Sequence, residues 1–191
     1  MISNGESSKF AEKLNFPRKS FSASLAIGIT ANFQNLNKFE DASMKEFGIS
    51  YQFKKQWFDD LYKKFGIQLE NTTYYRDETH YFVVTGIKSN LLEYGVLLKD
   101  SNDIQELLDP SNIDKSKLQK YMSEIAEYCQ IPKDRNFVLN NIDQPDVAIF
   151  DFTTKWFNTY STKIFETENG KNRLLTGMIG DSLLAPFWPQ V

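Results

Sequence analysis

The chain has 191 residues, 41% apolar and 15% aromatic, with 25 acidic against 22 basic side chains for a formal charge of −3. That length supports one domain-sized core. The frequency of large apolar residues excludes a disordered chain, and the mildly acidic balance argues against nucleic acid as a partner. The longest apolar-rich stretch, residues 25–33, is interrupted by Thr30 and Asn32 and is too short to cross a bilayer, so no membrane is expected. No basic and apolar segments open the chain as a secretory leader would. One cysteine, Cys129, excludes an internal disulfide and a multi-cysteine zinc site. One histidine, His80, removes most remaining metal sites, and together these features predict a reduced, cytoplasmic setting.

Residues 1–20 are polar and basic, end in Phe16-Pro17-Arg18-Lys19, and show no periodic pattern. Residues 25–30 predict a strand with apolar side chains on both faces, as in the middle of a sheet. Phe53, Trp57, Phe58, Leu61, Tyr62 and Phe65 fall at helical spacing. They predict a helix stopped by Gly66, with this aromatic face as core. Residues 72–87 predict a strand pair or one long bent strand, with polar Arg76-Asp77-Glu78 in between. Leu118, Met122, Ile125 and Cys129 mark a second amphipathic helix, ended before Pro132. Residues 160–168 and 171–179 flank Asn169-Gly170, a hairpin signal because both turn positions need positive φ. No repeat or low-complexity linker interrupts residues 1–191, and strands and helices do not alternate regularly. The expected fold class is therefore α+β, one unit with a mixed sheet and packed helices.

No nucleophile elbow, Walker loop or HExxH helix is present, so no catalytic and no metal-ligating residue is assigned. His80 lies in a strand-like run and is best understood as a structural imidazole. Asp59-Asp60 and Asp77-Glu78 stand beside basic residues as solvated surface. Asp100-Ser101-Asn102-Asp103 lacks the glycine and terminal glutamate of a calcium loop. Asn71-Thr72-Thr73 fits the glycosylation triplet but carries little weight without a leader.

Two places hold more. In residues 79–85, period two sets Thr79, Tyr81, Val83 and Thr85 on one face and His80, Phe82 and Val84 on the other. The first face is mixed in polarity, which suits either a wall toward a ligand or the rim of a core. Further on, Met178-Ile179 runs into Gly180-Asp181, where glycine admits a close backbone approach. Asp181 suits either of two roles: accepting hydrogen bonds from a sugar hydroxyl or capping a helix.

Four stretches carry a resemblance. They are Leu25-Ala26-Ile27-Gly28-Ile29-Thr30-Ala31-Asn32-Phe33, then Leu69-Glu70-Asn71-Thr72-Thr73-Tyr74-Tyr75-Arg76-Asp77-Glu78-Thr79-His80-Tyr81-Phe82-Val83. Gln144-Pro145-Asp146-Val147-Ala148-Ile149-Phe150-Asp151-Phe152-Thr153 and Gly180-Asp181-Ser182-Leu183-Leu184-Ala185-Pro186-Phe187-Trp188-Pro189 follow. In this order, across about residues 16–189, the chain resembles the flavin monooxygenase domain of the MICAL family. The resemblance implies part of a p-hydroxybenzoate-hydroxylase-like fold, FAD as cofactor and NADPH as cosubstrate. It also implies F-actin as partner, with oxidation of its methionines promoting filament disassembly at the cytoskeleton. By position it implies that Tyr81 contacts FAD, that Gly180 and Asp181 hold the cofactor's sugar-chain region, and that Trp188 stands beside the isoalloxazine ring.

The nine glycines contain no G-x-G pair, so the family's phosphate fingerprint is missing from these residues. The resemblance therefore implies an internal piece of a flavoprotein domain, with the substrate-side sheet and one cofactor loop, that has little activity alone. A non-catalytic actin-binding or regulatory module without cofactor is the alternative. A third is a structural α+β domain in which Asp181 only caps.

Overall fold

A computed structural model describes residue 2 and residues 12–22, 25–166 and 170–184. In chain order the strands are β1 (Arg18–Ser22), β2 (Ile27–Gln34), β3 (Phe47–Ser50), β4 (Leu69–Arg76) and β5 (Thr79–Gly86). They continue with β6 (Val147–Asp151), β7 (Thr154–Asn158), β8 (Thr162–Glu166) and β9 (Arg173–Gly177). The described helices are α1 (Phe39–Ser43), α2 (Tyr51–Phe65), α3 (Lys88–Tyr94), α4 (Ile104–Leu107) and α5 (Lys115–Tyr128). These elements fall into two compact units, residues 26–151 and residues 1–25 with 152–191.

In the unit of residues 26–151, one five-stranded sheet has the order β3-β4-β5-β2-β6, with every pair antiparallel. β2 lies between β5 and β6, as its apolar run predicts for a strand with two neighbours. Residues 72–87 resolve as a strand pair: β4 and β5 fold back around Asp77-Glu78. His80, Phe82 and Val84 are fully buried with Ile27, Ile29, Ala31 and Phe33 of β2. α2 and α5 close this core with Phe58, Leu61, Leu118, Tyr121, Met122 and Ile125. α3 packs close to the sheet because β5 ends in glycine: a Cβ on Gly86 would stand 3.0 Å from Leu91 Cδ1.

The aromatic face of α2 departs from expectation at its start. Lys54 has non-helical φ −131° and ψ 42°, so the first turn is out of phase with the rest. Phe53 is consequently 69% exposed and not core, and Tyr62 lies at the rim, while Phe58 and Leu61 are buried. Gly66 stops the helix as predicted, in the left-handed region at φ 71°, with its N–H donating to the Tyr62 carbonyl at 2.7 Å. α5 starts at Asp114, whose carboxylate accepts from the Lys117 N–H at 2.9 Å, and ends at Cys129. Burial pushes the Cys129 thiol up to about 12, so it is unreactive at neutral pH. Asn71 is buried inside β4 and accepts a hydrogen bond from Thr85 Oγ1 at 3.0 Å, which leaves the glycosylation triplet without an accessible acceptor. Asp103 of the calcium-like run instead caps α4 through the Gln105 N–H at 2.8 Å.

In the other unit, β1 pairs with β7 and β8 with β9, both antiparallel. β1 begins inside the patternless first twenty residues, because its partner lies more than 130 positions away in the chain. The β8–β9 ladder runs from Thr162–Gly177 to Glu166–Arg173, bearing out the hairpin. Gly170 has φ 66°, and Asn169 lies outside the described residues. Phe16 and Met178 are the buried centre of this unit, with Ile2, Leu14, Phe165 and Leu183 against them. The α+β class holds for the chain. Among the described residues, no helix is long and apolar enough to cross a membrane.

Candidate functional site

The helices cover one face of the sheet. On the opposite face, register sets Asn32 and Tyr75 beside Tyr81, Thr30 and Thr73 beside Val83, and Gly28 and Asn71 beside Thr85. Gly28, Asn71, Val83 and Thr85 of this face are buried, Thr30, Asn32, Thr73 and Tyr81 are partly exposed and Tyr75 is exposed, and none of them belongs to the main apolar cluster. The Tyr75 and Tyr81 rings stack with centroids 6.3 Å apart and planes at 21°. Thr79 Oγ1 donates to Asn32 Oδ1 at 2.7 Å, and Asn32 Nδ2 donates to Asp146 Oδ2 at 2.8 Å. Both ends of the Asn32 amide are thereby fixed. Burial, then the Asp146 charge and Tyr75, raise the Tyr81 hydroxyl above its ordinary value. It keeps its proton at neutral pH and offers both a donor and an acceptor.

The second element is the 3₁₀ turn Gly180–Ser182. Gly180 has φ 59° and no atom within 4 Å of a built Cβ, so conformation rather than space selects glycine there. The Leu183 and Leu184 N–H groups donate to the Gly180 carbonyl at 2.8 and 3.1 Å and close the turn. The cap position belongs to Ile179, whose side chain accepts nothing, so the capping role considered for Asp181 is corrected. Asp181 sits one place inside the turn, exposed, and its carboxylate accepts no hydrogen bond from the described residues. Tyr81 belongs to the unit of residues 26–151 and Gly180-Asp181 to the other. Trp188 lies outside the described residues.

His80 is the structural imidazole expected, and it belongs to a larger buried network. Its Nε2 meets Asp41 Oδ1 at 2.8 Å and its Nδ1 meets the Tyr74 hydroxyl at 2.7 Å. Arg135 binds the same carboxylate with two donors, Nε to Oδ1 at 2.6 Å and Nη2 to Oδ2 at 2.8 Å. The Lys38 backbone N–H adds a fourth donor at 2.9 Å. Because the carboxylate only accepts, Nε2 carries a proton toward Asp41, and Nδ1 is hydrogen-bonded to the Tyr74 hydroxyl. The Arg135 guanidinium above all, helped by His80, holds the Asp41 carboxyl well below the usual carboxylate range despite its burial. All four side chains are at or below 1% exposure, so no substrate reaches them. Among the described residues no cluster of three or more His, Cys, Asp or Glu is arranged for a metal.

An antiparallel sheet with helices packed on one face defines an α+β sheet domain. Residues 25–151 match the family model described as the Mical Rossman domain, and the chain belongs to the MICAL family. It is 44% identical over 180 residues to the F-actin monooxygenase Mical of Drosophila melanogaster, covering 92% of this chain and 4% of that protein. Against the protein-methionine sulfoxide oxidase mical3a of Danio rerio it is 44% identical over 178 residues, 91% of this chain and 9% of the relative. The human F-actin monooxygenase MICAL3 shares 43% identity over 178 residues, with the same coverage of 91% and 9%. The chain thus spans about 4–10% of the length of the curated relatives it matches. The family match coincides with the sheet unit, residues 26–151, almost residue for residue.

Proposed function

We propose that this chain is part of an FAD- and NADPH-dependent monooxygenase that oxidises methionine residues of F-actin at the cytoskeleton. It contributes the sheet wall and the Gly-Asp turn. The observation that carries this is the coincidence of the family match with a unit whose sheet, on the face opposite the helices, presents a half-buried, protonated Tyr81. Two groups fit the cofactor's polar parts. The exposed Asp181 carboxylate suits the hydroxyls of a sugar chain, and the Tyr81 phenol suits a polar edge of the ring system. FAD, when bound, would supply the oxygen-transfer chemistry. Tyr81, Gly180, Asp181 and Trp188 would hold and shield it, with the tryptophan excluding water from the ring.

The diphosphate has no counterpart here. With no G-x-G pair among nine glycines, these residues do not carry the fingerprint whose backbone donors grip charged oxygens, each worth roughly 1.5–3 kcal/mol. The purified chain is therefore expected to hold FAD weakly and to turn over little NADPH. Stoichiometric yellow flavin with NADPH oxidation would refute this. The missing fingerprint also favours a second reading, an actin-binding module without cofactor. Co-sedimentation with F-actin, with no methionine sulfoxide seen by mass spectrometry, would support that second reading over the first.

A further inference from the structure

The Gly180–Ser182 turn is gripped by the last residue of β7. Asn158 donates its backbone N–H to the Leu183 carbonyl at 2.8 Å and its Nδ2 to the Ser182 carbonyl. Beside it, Phe157 forms a β-bridge to Leu184. The amide orientation follows from chemistry, since only the nitrogen end can donate to a carbonyl. Asn158 is 7% exposed, and its Oδ1 is buried with no hydrogen-bond partner among the described residues. An orphaned buried acceptor costs about 1–3 kcal/mol, a cost that an aliphatic side chain of similar size would not carry. Packing alone therefore does not explain an asparagine at this position.

We propose that Asn158 is the positioning residue of a hydroxyl-binding site at Asp181. Its two N–H groups hold the far end of the turn by consecutive carbonyls, and the Asp181 carboxylate then faces outward on a fixed backbone. This rests on the assignment of Asp181 as a cofactor-holding residue. The Asp181 carboxylate also defines the ligand's chemistry. It is exposed, forms no ion pair among the described residues and can only accept. It favours a group that brings donors, the hydroxyls of a sugar or sugar-alcohol chain, and repels a phosphate.

The test uses the whole 191-residue chain, with Asn158→Leu and the milder Asn158→Ser as variants. In the absence of ligand, amide exchange at Leu183 and Leu184 should quicken tenfold or more in both, with the β8–β9 ladder unchanged. Unchanged exchange at those two amides in both variants would overturn the positioning role. Riboflavin, which carries a ribityl chain and no phosphate, is then titrated while the Gly180 and Asp181 amide resonances are followed, with inorganic phosphate as control. The native chain should respond to riboflavin and not to phosphate, Asp181→Asn should abolish the response, and Asn158→Ser should weaken it about tenfold. A response that survives Asp181→Asn, or none in the native chain, would remove the Asp181 assignment. A response lost with Asp181→Asn but undiminished in both Asn158 variants would overturn the present proposal alone. Equal response to phosphate would overturn the ligand chemistry.

Discussion

The two units reach order by different means. In residues 26–151, five paired strands and the four helices α2 to α5 share one continuous core, and the buried Asp41 and Arg135 charges are hydrogen-bonded to each other. In the other unit there are two separate two-stranded ribbons, and among the described residues its buried apolar side chains are Phe16 and Met178. Two-stranded ribbons are marginal by themselves. This unit leaves apolar side chains at its surface: the cross-strand pair Ile164 and Leu175 is 58% and 67% exposed. The difference teaches that the described site elements stand on unequal ground. Tyr81 rides on a strand bonded on both sides, whereas Asp181 depends on a few local hydrogen bonds.

Substitutions at four positions probe this contrast, in order of expected effect. Phe82→Ala removes a fully buried ring between β4 and β2 and should cost about 3–5 kcal/mol, measured by urea unfolding. A loss under 1 kcal/mol would mean that the core is looser than the packing implies. Asp41→Ala strands a buried guanidinium and imidazole N–H and should cost about 3 kcal/mol. Because its folded-state carboxyl titrates below the ordinary value, Asp41 contributes fully above about pH 4. That contribution is lost as pH falls, since the unfolded chain then binds the extra proton. Asp41→Asn should therefore flatten the acid limb of the stability curve, and an unchanged slope below that pH would show that Asp41 is not the titrating group. Tyr74→Phe, which leaves His80 Nδ1 without its hydrogen-bond partner, should cost about 1 kcal/mol. Leu175→Ala, at an exposed ribbon position, should change unfolding by less than about 0.5 kcal/mol; a larger loss would place it in a buried contact.

Where residues interact with near neighbours in the chain, the sequence was informative. The faces of β5, the stops at Gly66 and before Pro132, and the hairpin near Gly170 all follow from short-range spacing. The buried network did not show itself, because His80 meets Asp41 from 39 positions away and Asp41 meets Arg135 from 94. β1 was invisible for the same reason: isolated, Arg18–Ser22 is a polar run, and only its pairing with β7 makes it a strand. Phe53 misled because hydrophobic spacing continues through Lys54 while the backbone does not. Asp181 was legible as a position but not as a geometry. Aspartate suits a cap and a ligand equally, and that Ile179 holds the cap position follows only from the backbone. Asn158, by contrast, had no signature beyond its residue type, since its grip on Ser182 joins chain segments 24 positions apart.

The unit of residues 26–151 opens with β2 and ends with β6, and these strands are neighbours, with Ile27 directly opposite Asp151. The polypeptide therefore leaves and re-enters this body through one narrow doorway, the geometry that lets a domain be spliced into a host loop without deforming either.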